Sequence, residues 1–128
     1  MKKHLNKHVN KHHHLARRKM SHIMDEIYTA LLHYGSDVAN LRILREQEGL
    51  RLFATSNFTP EHMHHIERMA ELLQPAVRSA AMVEEYWELA GEDQYTSDSE
   101  LSLVGQIADE ASVVIEGNRV EIDLFVRF

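Results

Sequence analysis

Apolar and polar positions alternate in four short runs of the chain and follow a helical period elsewhere. Residues 22–34 place Ile23, Ile27, Ala30, Leu31 and Tyr34 on one stripe at helical spacing, and Gly35 supplies a stop. NLRILRE then alternates, with Leu41 and Ile43 on one side and Arg42 and Leu44 on the other. LRLFATS opposes Leu50, Leu52 and Ala54 to Arg51, Phe53 and Thr55. Two such runs around the turn QEG predict a β-hairpin over residues 40–55. A second hairpin is predicted over 112–128, where SVVIE and RVEIDLFVRF flank Gly117-Asn118. In its second strand Val120, Ile122, Leu124, Val126 and Phe128 alternate with Arg119, Glu121, Asp123, Phe125 and Arg127.

Between the hairpins the period is helical again. Thr59 is a suitable N-cap and Pro60 fits the first helical position, where its missing N–H is no loss. Phe58 and Met63 stand at the two positions of a hydrophobic staple. One stripe runs Met63, Ile66, Ala70, Leu73, Val77, Ala80 and Trp87, and a second runs Met69, Leu72, Ala76, Val83, Tyr86 and Ala90. These predict a long helix over 59–90, kinked or broken near 72–75 by Pro75. Gly91 ends it, a polar acidic linker follows, and Ser97 with Glu100 forms a capping box for a short helix to about Ala111. The expected fold is α+β: two antiparallel hairpins in one small sheet or two, packed by the long kinked helix and shorter helices. The apolar surplus on the long helix points to a homodimer, with Leu73, Val77, Ala80, Val83 and Trp87 as its interface.

Composition changes the picture at one end. Residues 1–24 carry seven basic residues and no acid, whereas the rest carries seven arginines against all 20 acidic residues and no lysine. This break divides the chain into a basic His/Lys-rich arm, 1–19, and one α+β domain, 20–128. The arm reads as an extension, a misassigned start or a tag. Two alternatives are a nucleic-acid-binding arm and a histidine tract that collects metal. The acidic body is a poor partner for nucleic acid. Cysteine is absent, which removes disulfides and thiol chemistry and fits a cytoplasmic protein. No apolar run reaches the roughly 20 residues that cross a bilayer.

Candidate chemistry is sparse. No nucleophile elbow, glycine-rich phosphate loop or paired-carboxylate spacing stands out, so no catalytic residue is assigned and an enzyme is the less favoured class. Ten histidines remain. His62 and His65 are neighbours on one helical face, and Glu61 lies four residues before His65. Glu61, His62 and His65 are therefore the candidate ligands for zinc, nickel or copper, with His22 or His33 as a further ligand if the fold brings one near. The competing reading puts His62 and His65 on the rim of the apolar face, as ordinary surface residues. No other cofactor is expected.

Residues 48–86 also resemble the closing strand and helix of GAF-type sensor domains. The matching positions are Gly49, Leu50, Phe58, Thr59, Pro60, Glu61, Ala70, Glu71, Pro75, Ala76, Val77, Ala80 and Glu84. Only about 47 residues precede the match, and the pocket-forming elements of that family have no counterpart among them. The resemblance implies a regulatory or sensor-related interaction module whose long helix dimerises. It implies no cyclic-nucleotide or chromophore site and carries over no ligand-binding residue.

Overall fold

In the computed structural model, residues 7–74 and 97–128 are described. The order is α1 (Lys7–His33), β1 (Ala39–Arg45), β2 (Gly49–Asn57), a 3-10 turn (Pro60–His62), α2 (Met63–Leu73), α3 (Ser97–Ile107), β3 (Glu110–Glu116) and β4 (Arg119–Arg127). The fold is α+β. Both hairpins belong to one antiparallel sheet in the order β1-β2-β4-β3, joined by β2 and β4 at its centre.

The strand alternation fixes which face of the sheet is covered. Leu50, Leu52, Ala54 and Ser56 of β2 lie opposite Val126, Leu124, Ile122 and Val120 of β4, and all eight are buried. The helices lie on this side: α1 packs on β2 and β4, α2 on β3, and α3 on α1 and α2. The stripe predicted on α1 is buried, from Ile23 and Ile27 to Leu31 and Tyr34. It also extends backward. Ala16 and Met20 are 1% and 3% exposed, at the spacing that continues the stripe. The helix thus runs without a break across the boundary drawn at Met20, and residues 7–19 are part of α1. His13 stacks on Phe128 with ring centroids 3.8 Å apart, and its Nδ1 lies 3.1 Å from Nη2 of Arg45.

Several local expectations shift. Thr59 is extended at φ −80°, but its side chain makes no capping bond and its Oγ1 is buried without a partner among the described residues. Its carbonyl instead accepts from the His62 N–H at 2.8 Å, and the helix opens with a 3-10 turn. Helix α2 stops at Leu73, because Gln74 leaves helical geometry at φ −116° and ψ 58°. The ring of a following proline disfavours the helical region for the residue before it. Gln74 uses that break. Its Nε2 donates to the Ala70 carbonyl at 3.2 Å, and its Oε1 accepts from the Val113 N–H of the edge strand β3 at 3.0 Å. An unpaired edge group is satisfied and α2 is tied to the sheet. Helix α3 ends at Ile107, four residues before the expected Ala111, because β3 already begins at Glu110. The kink at Pro75, the remainder of the helix predicted to residue 90, the Gly91 stop and the following linker lie outside the described residues.

Leu73 is fully buried in the chain's own core. It offers no surface to a second copy, which corrects its assignment to a dimer interface. The other four residues of that interface, Val77, Ala80, Val83 and Trp87, lie outside the described residues.

Gly35 closes α1. The Ser36 N–H donates to the Leu31 carbonyl at 3.1 Å and the Gly35 N–H to the Leu32 carbonyl at 3.3 Å. This is the paired pattern of a Schellman cap, and it needs a left-handed residue, here at φ +86°. A Cβ at this position would also meet Thr59 Oγ1 at 2.7 Å. Gly35→Ala should therefore cost about 1–2 kcal/mol, the penalty for a side chain in left-handed geometry. Urea denaturation measures it, and an unchanged midpoint would show that the cap relaxes freely.

Candidate functional site

The fold gathers three histidines of the sequence around one tyrosine, with a fourth beside them. Tyr34, buried at the end of α1, stacks on His65 with ring centroids 5.3 Å apart and planes 2° from parallel. His33 and His62 approach the same ring at 5.8 and 6.0 Å. His62 and His65 face each other through their Nδ1 atoms at 3.2 Å. In that contact one of these nitrogens donates and the other accepts. His64 lies 3.9 Å from His65, ring to ring. The helical spacing read from the sequence thus does bring His62 and His65 together. Glu61 does not complete a ligand set: its carboxylate is not within 4.8 Å of both ring nitrogens. What forms is an aromatic and imidazole stack that docks the start of α2 on the end of α1.

This stack has a charge cost. Burial first, and then the positive charges of His64, His62 and His33, hold the His65 pKa below its usual 6.5, while Asp98 works in the opposite direction. Asp98 itself faces Arg68, with Oδ2 3.5 Å from Nε. In the unfolded chain His65 titrates near 6.5, higher than in the folded protein. Its contribution to stability is therefore complete above that pH and is lost as pH falls through the lowered folded value. We expect the urea midpoint to fall on acidification from pH 7.5 to pH 5, roughly the span over which histidine charges. We expect His65→Gln to flatten that dependence; an equally steep fall in the variant would place its origin elsewhere.

A second cluster was not anticipated as a set. A ring nitrogen of His22 and carboxylate oxygens of Glu26 and Glu100 lie within 4.8 Å of one another, all three residues half-buried. Among the described residues this is the one group of three or more metal-ligating side chains so close together. His22 and Glu26 are four apart on α1 and share a face, which the sequence does reveal. Glu100 arrives from α3, which no local pattern reveals. Burial, and next the Glu100 charge, raise the Glu26 pKa, with His22 opposing and Asp25 reinforcing. Nε2 of His22 is buried and without a hydrogen-bond partner among the described residues.

The third feature is the sheet face away from the helices. The register aligns its outward side chains in rows across all four strands: Asn40, Thr55, Glu121, Val114; Arg42, Phe53, Asp123, Ser112; and Leu44, Arg51, Phe125, Glu110. A groove of ≈ 450 Å³ crosses it, lined by Arg42, Phe53, Thr55, Val114, Glu121 and Asp123 among others. Arg51 organises the centre, with Nη1 2.7 Å from Asp123, Nε 3.0 Å from Glu46 and Nη2 3.7 Å from Glu110. Its guanidinium also lies 4.8 Å from the Phe125 ring centroid, and that of Arg127 lies 5.7 Å away. Phe125 is consequently buried although it points away from the core. Arg42 stacks 5.4 Å from the Phe53 centroid. Val114 and Leu44 remain 45% and 37% exposed.

No protein-family model matches the chain, and no curated protein or solved structure matches it. Among the described residues no helix is long and apolar enough to cross a membrane.

Proposed function

We propose that the chain is a non-enzymatic regulatory or sensor-related interaction module, acting in the cytoplasm as a reversible homodimer, and that its dimer face is the side of the sheet that none of the described helices covers. The observation that carries this reading is the polarity of that face. On the β1–β2 half Arg42 and Arg51 outnumber the one acid at its edge, Glu46, which pairs with Arg51. On the β3–β4 half Glu110, Glu116, Glu121 and Asp123 outnumber Arg119 and Arg127. A two-fold axis parallel to the strands, between β2 and β4, lays the cationic half of one copy over the acidic half of the other. Phe53, Leu44 and Val114 supply apolar contact between these charges. Like charges brought face to face would be repelled, so the polarity selects this axis over the perpendicular one.

Size sets the strength. Four strands about 4.8 Å apart and some seven residues long give a face of roughly 19 by 23 Å. That is on the order of 400 Å² per copy, below the usual size of a permanent interface. The dimer is therefore a reversible one, and its charge pairs are screened by salt. The resemblance of residues 48–86 to a GAF-type strand and helix supports the regulatory part of the reading.

Sedimentation velocity over roughly 1–100 µM tests it, a range that brackets weak reversible association. We expect a concentration-dependent shift that added salt weakens. Arg42→Glu alone and Glu121→Arg alone should each weaken association, and the double variant should recover part of it. A strict monomer throughout, or association indifferent to Arg42→Glu, would overturn the proposal.

A further inference from the structure

We infer that His22, Glu26 and Glu100 form a binding site for a divalent transition metal ion, zinc being the best match, which ties α1 to α3. The donor set is one imidazole and two carboxylates, a nitrogen–oxygen combination that zinc accepts at about 2.0–2.2 Å. Around a tetrahedral ion at that distance the donors stand about 3.4 Å apart. The three donors here lie within 4.8 Å of one another, so small side-chain rotations bring them onto one ion. The fold already sets the rest of the geometry. His22 and Glu26 project from one face of α1, a single turn apart. Glu100 comes from the first turn of α3, and α3 packs against α1.

Two further observations point to a cation here. Glu26 and Glu100 bring two carboxylates together in a half-buried place, an arrangement that is unfavourable until a positive charge lies between them. No arginine or lysine ion pair to either is found among the described residues. In addition, Nε2 of His22 is a buried nitrogen with no hydrogen-bond partner there. Buried polar atoms are nearly always satisfied by a protein group, a water or an ion, and an ion held by the two carboxylates would satisfy this one. Three protein ligands leave a fourth position for water or for a group from a partner. The site is separate from the His62–His65 stack, whose nitrogens already face each other.

The test must separate this site from the other nine histidines, so it uses variants that leave the histidine content unchanged. Zinc is titrated calorimetrically into the full chain and into Glu26→Gln and Glu100→Gln. Loss of even an outer-shell partner weakens a metal site roughly 10–100-fold, and loss of a ligand costs no less. We expect the tightest zinc equivalent to weaken at least about tenfold in both variants. It should persist when His62 and His65 are both replaced by alanine. Because the ion ties two helices, zinc should also raise the melting temperature of the parent chain, reversibly with chelator, and not that of the glutamine variants. Should the variants fold poorly, ring resonances in the unsubstituted chain decide, and those of His22 should move with the first zinc equivalent. Zinc that does not bind, binds unchanged in both glutamine variants, or first perturbs His62 and His65 or the histidines of residues 12–14 overturns the inference.

Discussion

Everything in this molecule rests on the central pairing of β2 with β4, which aligns two apolar rows on one side of the sheet. With Leu52 opposite Leu124 and Ala54 opposite Ile122, a single strip of hydrophobic surface faces the helices. A slip of one residue in either strand would turn that strip outward and bring Arg51, Phe53, Asp123 or Phe125 into the core. The register is therefore specified by burial far more strongly than by the turns. Among the described residues helix α1 supplies the longest complementary stripe, from Ala16 to Tyr34, and α2 and α3 pack beside it.

The same register produces the outer face as a by-product. Side chains excluded from the core are forced into rows, and the rows place Arg51 between Asp123, Glu46 and Glu110 and beside Phe125. Phe125 illustrates the result. It lies on the solvent side of the sheet, yet two arginines shield its ring and only 4% of it is exposed. A face with that much internal order, bordered by exposed Leu44 and Val114, is more structured than a solvated sheet surface requires. Single exposed apolar residues are ordinary in folded proteins, whereas the segregation of charge across the strands gives this face a direction.

The sequence revealed what depends on neighbours along the chain. Both hairpins follow from period-two alternation, and the cap at Gly35 follows from glycine's tolerance of left-handed geometry. The break before Pro75 follows from proline's constraint on Gln74. What it concealed depends on contacts between distant segments. Nothing local says that β2 and β4 pair, and so nothing predicted one sheet in preference to two. The lysine-rich composition of residues 1–19 outweighed the Ala16, Met20, Ile23 spacing, which already continued the α1 stripe. Leu73 resembled a dimer contact because an apolar helical position does not say whose core it enters. The histidines of the α2 start drew attention by their density. The His22 cluster needed Glu100, almost eighty residues away, and only the packing of α3 on α1 supplies it.

Cross-linking across the sheet face reports directly on whether and how two copies meet there, and the absence of native cysteine makes it clean. Packed sheets stand about 10 Å apart, within reach of a short thiol-specific cross-linker. Under the proposed axis Asn40 on β1 of one copy lies over Val114 on β3 of the other, since both belong to the same cross-strand row. Asn40→Cys chains mixed with Val114→Cys chains should give the mixed covalent dimer in excess over either self-linked product. Self-linked products in excess over the mixed dimer would contradict this axis, and no cross-linked product would mean that this face does not meet a second copy.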